Sequence, residues 1–387
     1  MSPEKFNFET PQIPAENKQD EVTKRYLEKR KKVREIYDFT TKEKLLLADT
    51  YQLVEHLRKK ESRYAHLTTV QQSEDGSFQE RKFFKLLTSQ GERRERDEEA
   101  FLREILVTDF LARKTDLPAR KVDSYYVDPN KKDFYAVMET LPKAQIGFIE
   151  KADEMMDLRE EHAQECIENI FRLHQEVKEI PTNLKEKLPD REVLNSYKGF
   201  FQDIEEIMDE EVHPLDNPEG ESFHQTMDRR LGTENFKNKV VELIEKFKKT
   251  IEDAESKRDY LVHGDLSPNN LYMYDNGKVE FLDWEWASHS NNEVLSTIYD
   301  YGNLRARAWN NQKFREALDQ AILDQYQDNP EKGEAIVSLG ILRSHLMLAG
   351  FFEDYPQEKQ LKEQETTRRE NTEVDVKKAF KVANIIL

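Results

Sequence analysis

The sequence predicts an α+β protein, with a small antiparallel sheet toward the N-terminus and a larger, mainly helical portion after it. Three observations carry this. Short alternating or apolar runs bounded by turn residues occupy 64–87 and 134–141, the pattern of paired strands. Helical periodicity dominates from residue 155 onward. One tight hairpin interrupts it, with Asp275-Asn276-Gly277 between Leu271–Tyr274 and Val279–Leu282, a strong two-strand turn signal.

Taken in order, residues 1–20 are polar with three prolines and read as a flexible tail. Glu21–Tyr37 is a charged helical stretch. Thr40 followed three residues on by Glu43 is a capping-box start, and Leu45, Leu46, Ala48, Leu53 and Leu57 then give a helical face. Tyr64–Gln71 reads as a strand, Ser73–Ser77 as its turn and Phe78–Leu87 as the return strand. The helix Asp97–Lys114 carries Phe101, Ile105, Leu106 and Phe110 on one face, and Leu117–Val122 leads to the apolar strand Phe134–Leu141. Residues 155–176 form a helix with Ile167, Ile170, Phe171 and His174 at helical spacing, His174 as a packing residue. Pro181–Arg258 is a charged, mostly helical stretch with a loop at Leu215–Ser222; its Tyr197, Phe200, Phe201 and Phe223 are core candidates ahead of pocket lining. After Trp286 the pattern reads as helical to the end, through Asn292–Trp309 and the apolar Ile336–Phe352.

Composition excludes several classes. The 387 residues carry a formal net charge of −18, which argues against binding a nucleic-acid backbone, whose affinity comes from Lys and Arg neutralising phosphates. That charge is compatible with a cationic substrate, though solubility alone is the plainer reading. No apolar run approaches the roughly 20 residues of a membrane span, and MSPEKFNFETPQ shows no signal-peptide core. The single Cys166 has no internal disulfide partner, which fits a reducing, cytoplasmic setting. The sequence leaves the oligomeric state open.

The chemistry concentrates in Leu261–Trp286. His263–Asn270 is a loop after the apolar run Tyr260–Val262, and the hairpin brings Asn270 and Asp283, at its two ends, beside Asp265. Such an oxygen-rich corner suits Mg²⁺. HGDLSPNN followed by LDWE resembles the catalytic loop and metal motif of the aminoglycoside phosphotransferase and choline kinase group. That resemblance covers about residues 60–310 and implies a bilobal protein-kinase-like fold, with a small antiparallel-sheet N-lobe and a larger helical C-lobe. It divides the chain into 1–40, 41–142 and 143–387, with 181–258 as a helical substrate-binding insertion. In that template an Asp accepts the proton of the substrate hydroxyl, while an Asn and a second Asp hold Mg²⁺ on the nucleotide. The resemblance therefore implies Asp265 as base and Asn270 and Asp283 as metal ligands. Gly264 and Ser267 stand where protein kinases carry Arg and Lys, and no Ala-Pro-Glu segment follows, so a small hydroxylated acceptor is implied, with ATP or GTP as donor.

The same template needs a strand Lys for the phosphates and a helix Glu to hold it. Lys85, sharing a strand face with Phe83, fills the first role ahead of Lys82; Glu104 fills the second, with Glu98 and Glu99 as competitors. Adenine would meet backbone around Met138, Glu139 and Thr140, and Ser267 is the remaining nucleotide-side candidate. No GxGxxG occurs; KKESRY, with Ser62, is the candidate for the phosphate-covering loop. Trp284, Glu285, Trp286 and Trp309 form either an acidic aromatic corner for an ammonium group or ordinary packing. Acceptors from aminoglycosides and amino alcohols to homoserine and sugars stay open. So does a different class of protein, a non-catalytic nucleotide-binding or scaffold protein of the same fold.

Overall fold

The computed structural model describes residues 51–56, 64–72, 79–87, 94–128, 133–139, 158–210, 220–274, 276–349 and 359–387. The tail, the helix expected over 21–37 and the opening of the next one at 41–50 lie outside these. The chain divides into two compact units, Met1–Gly91 and Glu92–Leu387.

The first unit contains an antiparallel meander of β1 (Tyr51–His56), β2 (Tyr64–Gln72) and β3 (Gln79–Leu87). Tyr51 stands opposite Gln71, and His66 opposite Lys85. This corrects the helix read from Thr40 through Lys60, since Tyr51–His56 is a strand. YQLVEH carries aromatic and β-branched residues as well as a helical stripe, and in so short a segment pairing with a neighbour outweighs local helix propensity.

The second unit begins with α1 (Arg94–Lys114) and the antiparallel pair β4 (Val122–Asp128) and β5 (Asp133–Glu139). α2 (Glu160–Glu176) follows, then the short α3 (Thr182–Lys185) and α4 (Glu192–Asn195), α5 (Tyr197–Asp209), α6 (Phe223–Leu231), α7 (Phe236–Lys246) and α8 (Lys248–Glu252). Tyr197, Phe200 and Phe223 are buried in the core and Phe201 packs on it, while Tyr197 and Phe201 also line an open pocket. His174 is buried edge-on to Tyr260, a packing residue as expected. Burial lowers its pKa to about 4.

β6 (Glu255–Val262) delivers the chain to the catalytic-loop sequence, and β7 (Leu271–Met273) and β8 (Val279–Phe281) form the expected hairpin. β9 (Ser288–Asn292) pairs antiparallel with β6, correcting the wholly helical reading after Trp286. SHSNN lacks the apolar pattern of a strand, but Ser290 and Asn292 find partners for their buried polar groups. The Ser290 hydroxyl donates to the Leu194 carbonyl at 2.5 Å and the Asn292 amide to the Ile251 carbonyl at 2.7 Å. The Asn292 oxygen also accepts from Leu295 N–H at 3.0 Å, capping the next helix.

That helix is α9 (Glu293–Arg307), followed by α10 (Gln312–Gln325), α11 (Pro330–Ala349) and α12 (Lys359–Val382). α11 buries Ile336, Val337, Leu339, Leu342 and Leu346, each contributing about 1.5–3 kcal/mol through removal from water. No described helix is long and apolar enough to cross a membrane. Behind α9 a buried ionic network joins four helices: Arg305 pairs with Asp319 at 2.6 Å and with Asp375 at 2.9 Å, and Asp375 also meets Arg315 and His345. An α+β chain with antiparallel N-terminal strands and a mainly helical remainder is the class the sequence predicts.

Candidate active site

β6 is anchored from both flanks, by β9 and by the face of α9, so the loop after it starts from a fixed point. Gly264 is the first residue to turn, with φ +82. An added Cβ there would lie 2.2 Å from the Trp286 carbonyl oxygen. Only glycine allows this backbone to pass so close in a left-handed conformation. The carbonyl of buried Ser267 accepts from Asn270 N–H at 2.9 Å, closing a short 3-10 turn over Pro268–Asn270.

The hairpin then does what its spacing promised. The Asn270 carbonyl accepts from Leu282 N–H at 2.8 Å, so Asp283 emerges directly beside Asn270. The Asn270 amide N–H₂ donates to the Asp265 carbonyl at 2.8 Å and reaches its Oδ2 at 3.3 Å. Asp265, Asn270 and Asp283 therefore converge, as read from the sequence. The Asn270 side chain spends its donors on Asp265, and among the described residues no hydrogen bond reaches its amide oxygen. Asp283 itself adopts φ 64, ψ 60, a left-handed conformation that costs a non-glycine residue about 1–2 kcal/mol. Strain of this kind concentrates where a side chain must be aimed.

His263 ties the loop to this turn. Its Nε2 lies 2.8 Å from the Leu282 carbonyl, and its Nδ1 lies 3.3 Å from Asp265 N–H. A carbonyl only accepts, so the proton sits on Nε2 and Nδ1 accepts. The ring is buried against Trp284, centroids 4.4 Å apart, and burial lowers its pKa to about 4. It is a neutral strut.

One face of α9 holds the loop from the other side, using residues at helical spacing. Asp300 accepts from His263 N–H at 2.9 Å and Gly264 N–H at 3.0 Å. Burial pushes its pKa up to about 7, while those two N–H bonds pull the other way. Asn303 donates to the Gly264 carbonyl at 3.3 Å. One turn further, Arg307 Nη2 meets Asp265 Oδ1 at 2.8 Å. None of these roles was read from the sequence. The i, i+3, i+7 spacing of Asp300, Asn303 and Arg307 was visible, but not what lay opposite.

The acidic corner is larger than predicted. Oxygen atoms of Glu104, Asp283 and Glu285 all lie within 4.8 Å of one another. Glu104 comes from α1 and is buried, as is Glu285. Arg103 of the same helix donates to the Glu285 carbonyl at 2.6 Å, which holds α1 against the turn after Asp283. The three carboxylates form an all-oxygen donor set, the kind a hard divalent cation such as Mg²⁺ takes. The residues present fit that ion.

Of the other nominated residues, Lys85 is buried on β3 in the first unit. Met138 is buried near the end of β5, and Glu139 is that strand's last residue. Thr140 and KKESRY through residue 63 lie outside the described residues. In the aromatic corner Trp284 and Glu285 are buried, Trp286 and Trp309 are half-buried, and the exposed Arg96 guanidinium lies over Trp286 at 5.2 Å from its ring centroid. The hairpin is braced from behind, where Asn169 donates to the Val279 carbonyl at 2.8 Å and buried Glu280 pairs with Arg120.

No family model matches the sequence. No curated protein sequence matches it either. Solved structures of aminoglycoside phosphotransferases and choline and ethanolamine kinases are similar to it. A candidate aminoglycoside phosphotransferase from Ralstonia eutropha is 15% identical with a TM-score of 0.48, covering 86% of this chain and 93% of its own. An aminoglycoside phosphotransferase from Alicyclobacillus acidocaldarius is 16% identical with a TM-score of 0.45, covering 87% and 95%. A choline kinase from Streptococcus pneumoniae is 13% identical with a TM-score of 0.41, covering 91% and 98%. Likeness at this level says nothing of substrate, and the reading below rests on the chain's own geometry.

Proposed function

We propose that this protein is a small-molecule kinase that transfers the γ-phosphoryl group of ATP or GTP to a substrate hydroxyl. The observation that carries the reading is the convergence of Asp265, Asn270 and Asp283 on one loop and hairpin, braced by His263 and Asp300.

In this reading the Asp265 carboxylate orients the acceptor hydroxyl and takes its proton. The hydroxyl oxygen attacks the γ-phosphorus, and the bond from that phosphorus to the nucleoside diphosphate oxygen breaks. Asn270 through its amide oxygen, and Asp283 through its carboxylate, would hold Mg²⁺, which supplies charge neutralisation at the phosphates. Glu285 is an additional oxygen donor at that corner. Lys85 would bind phosphate oxygens, with Glu104 positioning it. The backbone around Met138–Thr140 would meet the base, Ser267 would face the nucleotide side, and KKESRY, which connects β1 to β2, would cover the phosphates. Residues 41–142 then form the nucleotide lobe and 143–387 the acceptor lobe. Most of the rate would come from positioning and charge stabilisation. Buried Cys166, the only cysteine, is consistent with a cytoplasmic setting.

Equilibrium binding of ATP and GTP, with and without Mg²⁺, tests the nucleotide half of this reading. Micromolar binding that requires Mg²⁺ and loses that requirement in Asp283→Ala is expected. Binding indifferent to Mg²⁺ in both proteins, or none, would refute it.

A further inference from the structure

The base of the proposed reaction is already engaged. Asp265 Oδ1 is paired with Arg307 Nη2 at 2.8 Å, and Oδ2 takes the longer contact from Asn270 at 3.3 Å. An incoming hydroxyl competes with these contacts for the carboxylate oxygens. Asn270 is fixed, because its stronger bond goes to the Asp265 backbone carbonyl at 2.8 Å. Arg307 is the partner that can yield: it stands at the last position of α9 on a long side chain that is 38% exposed. Once displaced, its permanent charge stays next to the acceptor hydroxyl. A guanidinium beside a binding cleft selects carboxylate or phosphate oxygens, which it grips with paired N–H donors.

A second observation points the same way. The half-buried ring of Trp286 is a seat that a substrate ammonium could use. It is already covered by the protein's own guanidinium of Arg96, 5.2 Å from the ring centroid. Trp286 adjoins Gly264 directly, its carbonyl oxygen only 2.2 Å from where a Cβ on that glycine would stand. One arginine thus pairs with Asp265 and a second covers the ring of Trp286, despite a chain net charge of −18.

We propose that Arg307 is a specificity-determining residue and that the acceptor is a hydroxylated anion, carrying a carboxylate or phosphate group close to the hydroxyl that is phosphorylated. This rests on the kinase reading and narrows it. Binding of such an acceptor moves the Arg307 guanidinium from Asp265 Oδ1 to the anionic group, which frees the base oxygen only when the correct substrate is present. A neutral or cationic alcohol lacks the group that draws Arg307 away and competes poorly for Asp265.

The test is acceptor-stimulated ADP release from MgATP and GDP release from MgGTP, using matched acceptors. Hydroxycarboxylic acids and phosphorylated alcohols are set against the corresponding amides and unphosphorylated alcohols, with amino alcohols as the cationic arm. Wild type, Arg307→Gln, Arg307→Lys and Asp265→Asn are compared, with thermal melts to establish folding. The expected result is turnover of an anionic acceptor in wild type, with KM raised about 100-fold in Arg307→Gln, the size of one charged hydrogen-bonded pair. Arg307→Lys recovers part of that loss, and the acceptor's amide analogue is poor with every variant. Turnover of a neutral or cationic acceptor with KM unchanged by Arg307→Gln would overturn the inference and leave the kinase reading standing. Absence of Asp265-dependent nucleoside diphosphate release with every acceptor would overturn both.

Discussion

Gly264→Ala is the sharpest perturbation of the catalytic loop that leaves every functional group in place. Two costs add. Alanine at φ +82 carries about 1–2 kcal/mol of left-handed strain. Its methyl would also start 2.2 Å from the Trp286 carbonyl oxygen, far inside a normal contact of about 3.5 Å. Both partners are backbone, so the loop or the 3-10 turn after Asp283 must move by about 1 Å, at a typical overpacking cost of about 1–3 kcal/mol. The total is about 2–5 kcal/mol, a drop in Tm of about 5–15 °C for a unit this size. Because Asp265 is the next residue, the same displacement lowers kcat about 100-fold. Gly277→Ala supplies the control. Its φ is nearly the same, +83, but nothing lies within 4 Å of the added carbon. It carries the strain alone, with turnover unchanged. Melting temperatures and kcat for both variants, measured side by side, decide the matter. Gly264→Ala with a Tm and kcat matching Gly277→Ala would refute the close-approach argument.

Other expectations follow from the same geometry. Asp283→Asn keeps the side-chain shape and suits the left-handed backbone better. Its Tm should equal or exceed that of wild type while Mg²⁺-dependent turnover disappears; a clear loss of stability would show that Asp283 is structural. His174 is buried neutral with both ring nitrogens lacking hydrogen-bond partners among the described residues, and its folded pKa of about 4 lies below the ordinary 6.5. A depressed histidine pKa means the unfolded chain binds the proton first. Its contribution is therefore intact above pH 6.5 and is lost as pH falls toward 4. His174→Leu should flatten the acid limb of a Tm-versus-pH curve over that window, and an unchanged limb would contradict the assignment. Arg305→Met breaks the buried network, leaving Asp319 and Asp375 short of a charge partner. Chemical denaturation should register a loss of about 3–5 kcal/mol, with KM for nucleotide unaltered. A shift in KM without loss of stability would move Arg305 from the frame to the site.

The sequence was most legible where chemistry fixes spacing. Asp265, Asn270 and Asp283 could be brought together on paper because a tight hairpin leaves its ends little freedom. The long apolar helix α11 and the aromatics of 181–258 were readable for a related reason, as periodicity predicts burial. What stayed hidden depended on partners distant in sequence. Tyr51–His56 carries a helical stripe that yields to pairing with β2. Ser288–Asn292 looks nothing like a strand, and Leu194, Ile251 and Leu295 give Ser290 and Asn292 their partners. Arg307 and Asp300 lie far along the chain from the loop they hold, and Glu104 is further still from Asp283. Only tertiary structure joins such pairs.

The central claim is that Asp265 acts as base in phosphoryl transfer to a hydroxyl. The most direct measurement follows labelled γ-phosphoryl from MgATP and MgGTP onto an acceptor, in wild type and in Asp265→Asn. The account predicts a phosphate ester formed by wild type, and a loss of at least about 100-fold in kcat for a folded variant that still binds nucleotide, the usual scale of a positioned base. Equal kcat in the two proteins would contradict it.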